Sequence, residues 1–458
     1  MKKMKGSRQM CIYIALCFLL FSITSCNDES DNEGTVGHDP RLPIVVDYFS
    51  PTTGARSTQI ILYGSNFGYN TDSVKVFFNE KEAPVISAKG DKLLVLAPRL
   101  PGENCRIKVR IGGQESIFKD EFDYIIQTNV TTVVGGDRGS TSFPVGTVPL
   151  SEAQFNNNME RIIQIDSEGQ IYFCIHVGGD KDHVYVINEE VERLRLIDND
   201  AGAWLNSNFV SYDIKNDQIF RFQANIGNNE YWFYDKRNDF AKNMAGRAEW
   251  EGESMAPGGW ADWSARQSCA MRPSDGQFYF RINGGSFASL NPITGKGKNI
   301  TGRHTNQGFG TKSGTCRGIA FDPTDDNILY FSVDERHCIY RYDFVTDEIT
   351  VFAGSENGEA GFYDGERREA RFDRPNQISF DKDYNMYIAD RMNHCIRKIV
   401  MGTGYVSTVA GIPGESGYRD GTNEVARFNE PVGIAVNNEG VIYIGDAVNR
   451  AIRRISVE

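Results

Sequence analysis

The sequence predicts an all-β protein in which a small β-sandwich precedes a six-bladed β-propeller closed by a 3+1 strand arrangement. Three observations predict it. Short Tyr/Phe/Ile/Val runs alternate with turn residues along the 458-residue chain, and no long helical period appears. From Leu42 onward, turn signals recur every 8–12 residues for about 85 residues, the spacing of a sandwich. After that, one strand–turn–strand unit recurs six times, its second strand marked by Tyr172, Phe220, Tyr279, Tyr330, Tyr387 and Tyr443.

The chain begins with a segment that does not belong to the fold. Lys2, Lys3, Lys5 and Arg8 precede the apolar run from Met10 to Ile23, too short to span a bilayer comfortably and typical of a signal peptide over 1–25. Ile23-Thr24-Ser25-Cys26 resembles a bacterial lipoprotein lipobox, which implies cleavage before Cys26 and its acylation. The tether at 26–41 opens with the acidic Asn27-Asp28-Glu29-Ser30-Asp31 and cannot form a core. It is similar to the export signal of Bacteroidetes-type surface lipoproteins, which implies an outer-membrane protein anchored by lipid alone and exposed at the cell surface.

The formal charge of −12 becomes about −16 once the four basic residues of the leader are removed. An acidic chain of this size is a poor partner for nucleic acid or an anionic membrane surface. Cys11 and Cys17 leave with the leader. Six cysteines remain at 105, 174, 269, 316, 338 and 395, an even number that permits disulfides in an exported protein. Cys338 and Cys395 occupy equivalent repeat positions, too far apart to bridge, which favours reduced thiols.

The sandwich is read over 42–126. Its strands are PIVVDYFSPTTG, TQIILYGSNFG, SVKVFFNEKEA, KLLVLAPRLPG, CRIKVRIGG and FDYI. Pro51 with Gly54, the Gly64-Ser65-Asn66-Phe67-Gly68 element, the Ala97-Pro98 turn and the closing Phe122-Asp123-Tyr124 make it resemble an IPT/TIG domain, an immunoglobulin-like module. That resemblance implies a spacer, and no chemistry is visible beyond turn-forming Gly and Asn.

The propeller is read over 127–458. VDERHCIYRYD, ADRMNHCIRKI and GDAVNRAIRRI align as third strands, and ITVFAG and VSTVAG as fourth strands. Four strands in six units make six blades. PNQISFDKDYNMYIADRMNHCIRKI is similar to an NHL repeat, with blades five and six the strongest matches and blades one to three degenerate. The chain ends after the third strand of blade six. Asn129 to Gly135, NVTTVVG, matches Tyr405 to Gly411 and supplies the missing fourth strand.

Two near-identical stretches, GFYDGERREARFDRPNQISF at 361–380 and GYRDGTNEVARFNEPVGIAV at 417–436, fix the phase of the repeat. They are strand 4→strand 1 loops on the face shared with the 2→3 loops, which carries the long, variable segments. Phe372 and Phe428 are expected to plug the blade interfaces, Pro375 and Pro431 to begin inner strands, and Asp364 and Asp420 to cap turns rather than hold metal. Asp381-x-Asp383-x-Asn385 imitates an EF-hand loop, but Met386 replaces the required Gly and Met392 the bidentate Glu. The histidines lack metal-ligand spacing. No metal, cofactor or catalytic set is expected.

All five tryptophans lie between 204 and 263. Trp250, Trp260 and Trp263 fall in EWEGESMAPGGWADWSAR, the counterpart loop entering blade three. They either cap blades two and three or form a stacking platform for sugar rings, with Arg266 among the polar neighbours. A second candidate site is the channel mouth, where Arg161, Arg266, Arg317, Asn376 and Gln377 fall near the starts of inner strands and either read a polar or anionic ligand or only hydrate the tunnel. The expected function is non-catalytic capture of glycan or another extracellular ligand as an accessory to an outer-membrane uptake transporter. The alternatives are a propeller enzyme of lactonase or lyase type working in the channel, as the NHL resemblance implies, and a protein–protein scaffold.

Overall fold

The computed structural model describes residues 37–458 apart from 100, 137–138, 160–162, 179–180, 200–210, 214, 226–227, 252–268, 282–286, 301–315 and 317. The leader, Cys26 and most of the tether therefore lie outside the described residues. The chain divides into two compact units.

The sandwich has a four-stranded and a five-stranded sheet. Period-2 alternation builds both. Ile60 and Leu62 are buried while Gln59 and Ile61 are exposed, and Cys105, Ile107 and Val109 alternate with exposed or half-buried neighbours on Asn104–Ile111. Phe49 of one sheet meets Phe118 of the other edge to face at 5.4 Å. The Gly64–Gly68 element works through Asn66. It sits at φ 64°, and its amide donates to the carbonyls of Asp39 and Leu42 and accepts from the N–H of Asp39. Few other side chains tolerate that backbone and satisfy three main-chain groups at once.

The propeller has the six blades that the repeat predicts. The inner strands are Ile163–Ile165, Ser211–Asp213, Cys269–Met271, Ile319–Phe321, Pro375–Phe380 and Pro431–Val436. Each starts an antiparallel sheet of at least four strands. Thr128–Gly135 pairs with the C-terminal strand Ala451–Val457, Val130 opposite Ile455 and Gly135 opposite Ala451, so blade six closes as 3+1. Gln127 and Glu458 exchange backbone hydrogen bonds at the end of that ladder. The seam to blade one is filled by Val134, Ile452 and Tyr443 against Ile171, Phe173 and Leu194.

The polar turns between first and second strands share one device. In blades one, three, four and five an Asp accepts the hydroxyl of the second-strand Tyr, as in Asp166–Tyr172, Asp275–Tyr279, Asp322–Tyr330 and Asp381–Tyr387. Asp381 also takes the N–H groups of Asp383 and Asn385. Its oxygens are consumed by its own turn, which explains the false likeness to an EF-hand.

The twin charged stretches are joints. Phe372 is fully buried between blades four and five, and Phe428 between five and six. Asp364-Gly365-Glu366 does more than turn: Gly365 and Glu366 pair with Val406 and Tyr405 as a fifth strand on the outer edge of blade five. Gly421 and Thr422 do the same on blade six. Thr147–Pro149 covers the edge of blade one and Glu249–Glu251 that of blade three. These covers satisfy edge backbone groups that would otherwise face solvent. They are two or three residues long and leave no periodic trace.

Behind each twin Asp lies a buried arginine. Arg397, fully buried, bonds Asp390 at 2.8 Å and Asp364 at 2.6 Å, donates to the carbonyls of Tyr363 and Arg371, and lies over the rings of Phe362 and Phe372. Arg453 repeats the arrangement with Asp446, Asp420, the carbonyls of Arg419 and Arg427, Tyr418 and Phe428. Asn393 and Asn449 donate to the buried carboxylates. All six retained cysteines are buried free thiols. Replacing Arg453 by Met leaves Asp446 buried without its counter-charge and is expected to cost about 3–5 kcal/mol by denaturant titration. The exposed pair Lys75–Glu82 serves as control, and Lys75→Met should cost under about 1 kcal/mol.

Candidate functional site

The inner strands enclose an axial cavity of about 340 Å³. Every blade contributes to its wall, through Ile163, Tyr212, Met271, Phe321, Phe380 and Ala435 in chain order. The strand ends and the following Pro273, Asp322 and Pro323 also line it, so the cavity extends to the end of the channel that carries the short 1→2 turns. This is opposite to the face favoured from loop length.

Gln377 bridges inner strands towards the other end. Its Oε1 accepts from the N–H of Ile163 at 2.8 Å and of Ile434 at 2.9 Å, and its Nε2 donates to the carbonyl of Ile163 at 2.7 Å. The inner strand of blade five is thereby tied to those of blades one and six. The expectation that Gln377 reads a ligand is corrected by this geometry, because its amide is spent on backbone. Asn376, beside it, is fully buried, and neither amide atom meets a hydrogen-bond partner. Such an orphan is uncommon and is usually met by ordered water.

At the open end stands Asp322. Burial raises its pKa, but hydrogen bonds from the Thr324 and Tyr384 hydroxyls and from the N–H groups of Thr324 and Asp325 prevail and hold it below the ordinary carboxylate range. It therefore presents a negative charge at neutral pH. Gln164 and Ser379 line the same cavity.

The other sequence candidates fall as follows. Arg161, Trp260, Trp263, Arg266 and Arg317 lie outside the described residues. Trp250 is described in its backbone only: it belongs to the edge cover of blade three, opposite Gly297. The Trp-rich segment thus begins as strand, since Ala241–Arg247 completes blade two and Glu249–Glu251 returns along blade three. Trp232 is nearly buried, with the Lys242 ammonium 5.2 Å from its ring centroid. The described histidines of the propeller are dispersed, and His304 lies outside the described residues. His176 pairs with Asp182, His183 with the Tyr185 hydroxyl, and His337 and His394 accept from the N–H of Arg374 and Glu430 in the blade joints. Burial lowers the His394 pKa against the pull of Glu430 and Asp373. Among the described residues, no three His, Cys, Asp or Glu side chains converge on a metal-sized site. Sequence reasoning missed the apolar axial cavity because inner strands of three residues in blades one to four carry too little pattern to show which side chains meet on the axis.

Comparison with known proteins agrees with this architecture. The IPT/TIG domain family matches residues 43–126. Protein SUPPRESSOR OF QUENCHING 1, chloroplastic, of Arabidopsis thaliana is 32% identical over 146 residues, 31% of this chain and 14% of that one. NHL repeat-containing protein 2 of Bos taurus is 30% identical over 100 residues, 21% of this chain and 14% of that one. The match thus spans only 14% of the length of these curated relatives. A crystal structure of an auxiliary nutrient binding protein from Bacteroides ovatus superimposes with a TM-score of 0.66 at 24% identity, covering 92% of this chain and all of that one. One from Bacteroides thetaiotaomicron, also an auxiliary nutrient binding protein, gives 0.55 at 25% identity, covering 92% and 99%.

Asp322 supplies a pH test. Its pKa is lower folded than unfolded, so its stabilising contribution is present above about pH 4 and is lost as pH falls through the folded value. Asp322→Asn is expected to lower the melting temperature at pH 7, and the gap to the parent should narrow as pH falls from 7 toward 3.

Residues 43–126 match the IPT/TIG domain family, and the chain continues as a six-bladed β-propeller, part of which is similar to NHL repeat-containing proteins.

Proposed function

We propose that the protein is a non-catalytic, lipid-anchored accessory of the cell surface that captures glycan for an outer-membrane uptake transporter. The observation that carries this reading is the full-length likeness, at 25% identity, to an auxiliary nutrient binding protein. The domain order of signal peptide 1–25, tether 26–41, sandwich 42–126 and propeller 127–458 puts Cys26 at the membrane and the propeller at the end of the chain. No described helix is long and apolar enough to cross a membrane, which is consistent with attachment through Cys26.

The ligand platform in this reading is the Trp-rich segment. Sugar rings offer apolar C–H faces to indole planes, and polar neighbours bond the hydroxyls. Trp250, Trp260 and Trp263 would stack, and Arg266 would hydrogen-bond. Arg161, Arg317 and Asn376 form the secondary set.

Glycan arrays probed with the mature full chain are expected to show saturable binding. Trp250→Ala, Trp260→Ala and Trp263→Ala should each weaken it about tenfold or more, about 1.4 kcal/mol, with an unchanged melting temperature. Affinity retained in the triple variant would sink the stacking site. For the anchor, Cys26→Ala should abolish incorporation of labelled palmitate and release the protein from the outer-membrane fraction. Continued labelling would exclude Cys26 as the acylated residue.

A further inference from the structure

The glycan reading leaves the axial cavity unused, and the cavity's chemistry differs from that of a sugar site. Its walls are built by Ile165, Ile319, Phe321, Ile378 and Phe380 among others. These apolar surfaces offer a sugar little of the dense hydrogen bonding its hydroxyls require. At about 340 Å³ the volume falls at the lower end of small-molecule sites.

Three further features narrow the occupant. On one side the Gln377 amide is locked to the backbone of blades one and six and narrows the axis. On the other, Asp322 and Pro323 of a 1→2 turn line the cavity, which therefore reaches that end of the channel. Asp322 at that end is held charged by its hydrogen bonds, which disfavours anions in a wall of low polarity. Gln164 and Ser379 line the cavity and make no side-chain hydrogen bond to any described residue, so an amide and a hydroxyl remain for a ligand.

We propose that the axial cavity is a second binding site, specific for a small, uncharged, largely apolar molecule that carries one hydrogen-bonding group. An aromatic alcohol or amine has this chemistry: the body fills the apolar cup and the polar end reaches Gln164 or Ser379. The site is independent of the proposed glycan platform and stands whether or not that platform binds sugar.

The test uses the mature full chain and the neutral probe N-phenyl-1-naphthylamine, whose fluorescence rises in apolar surroundings. The expected result is saturable enhancement with one equivalent bound. The sulfonated relative 8-anilino-1-naphthalenesulfonate should bind at least about tenfold more weakly. Ser379→Phe fills the cavity from a half-exposed position and should reduce affinity for the neutral probe at least about tenfold without changing the melting temperature. If that variant does not fold, Ala270→Leu, also on the cavity wall, takes its place with the same expectation. Absence of saturable binding, equal affinity in a folded cavity-filled variant, or preference for the sulfonate would overturn the proposal. The tryptophan variants should keep the neutral probe, and Ser379→Phe should keep any glycan binding. Failure of one site is thus separable from failure of the other.

Discussion

Ring closure is the constraint on which the propeller depends. Six sheets packed around an axis leave two open edges unless the first strand meets the last blade. Here Thr128–Gly135 pairs along the C-terminal strand Ala451–Val457. That one ladder satisfies backbone groups on two strands and aligns the seam of Val134, Tyr443 and Ile452 with blade one. Its partners are separated by more than three hundred residues, so its formation carries the loop-closure entropy of nearly the whole domain. Gln377 then acts at the axis, where it cross-links three inner strands that are not all neighbours in sequence. Outer ladder and inner bridge constrain the same seam from opposite sides.

Between blades the burden shifts to side chains, and blades five and six solve it identically. A guanidinium sealed inside protein is costly unless all its donors are met. Arg397 and Arg453 each meet two carboxylates and two carbonyls between two aromatic rings; the Arg397 Nε also reaches Asp364, while the Arg453 Nε has no partner among the described residues. The geometry works only if the preceding loop doubles back, because Asp364 and Asp420 must reach the third strand from the outer edge. The edge cover at Gly365–Glu366 and the buried arginine are therefore one device: the fold that satisfies the charge also shields the edge. Blade four carries Tyr340 in place of the arginine and packs it against Phe331 instead. An apolar joint is thus compatible with the same backbone, and the charged one contributes register as well as energy.

Much of this was legible because a propeller repeats its sequence with its structure. Polar turns between paired strands, Pro-started inner strands and the matching of 129–135 to 405–411 follow from positions that recur, and each found its place. What was not legible arises where contacts cross the repeat. The roles of Asp364 and Asp420 were read as turn capping because their arginine partners lie about thirty residues away, on a different strand. Gln377 was read as a ligand group because a bridge to Ile163, more than two hundred residues earlier, leaves no local signal. Edge covers of two residues have no period to detect. The segment richest in tryptophan is the one that departs most from the repeat, so the pattern that placed it could not say what its side chains do.

The distribution of polar groups separates stability from recognition. Around the axis, most described polar side chains with strong partners are spent on the fold: Gln377 on backbone, Asp322 on its turn, the arginines on their carboxylates. Among the described residues the cavity wall is largely apolar, and the Gln164 amide and Ser379 hydroxyl on it make no side-chain hydrogen bond. A surface of this kind binds by shape and by exclusion of water, and it selects against charge more strongly than it selects for any functional group. Loops that leave the repeat can take insertions without disturbing blade packing, which is where polar recognition is proposed. Under the two proposals an apolar ligand chemistry lies along the axis and a polar, aromatic one in a departing loop, and a change in either would leave the ladder between Thr128–Gly135 and Ala451–Val457 untouched.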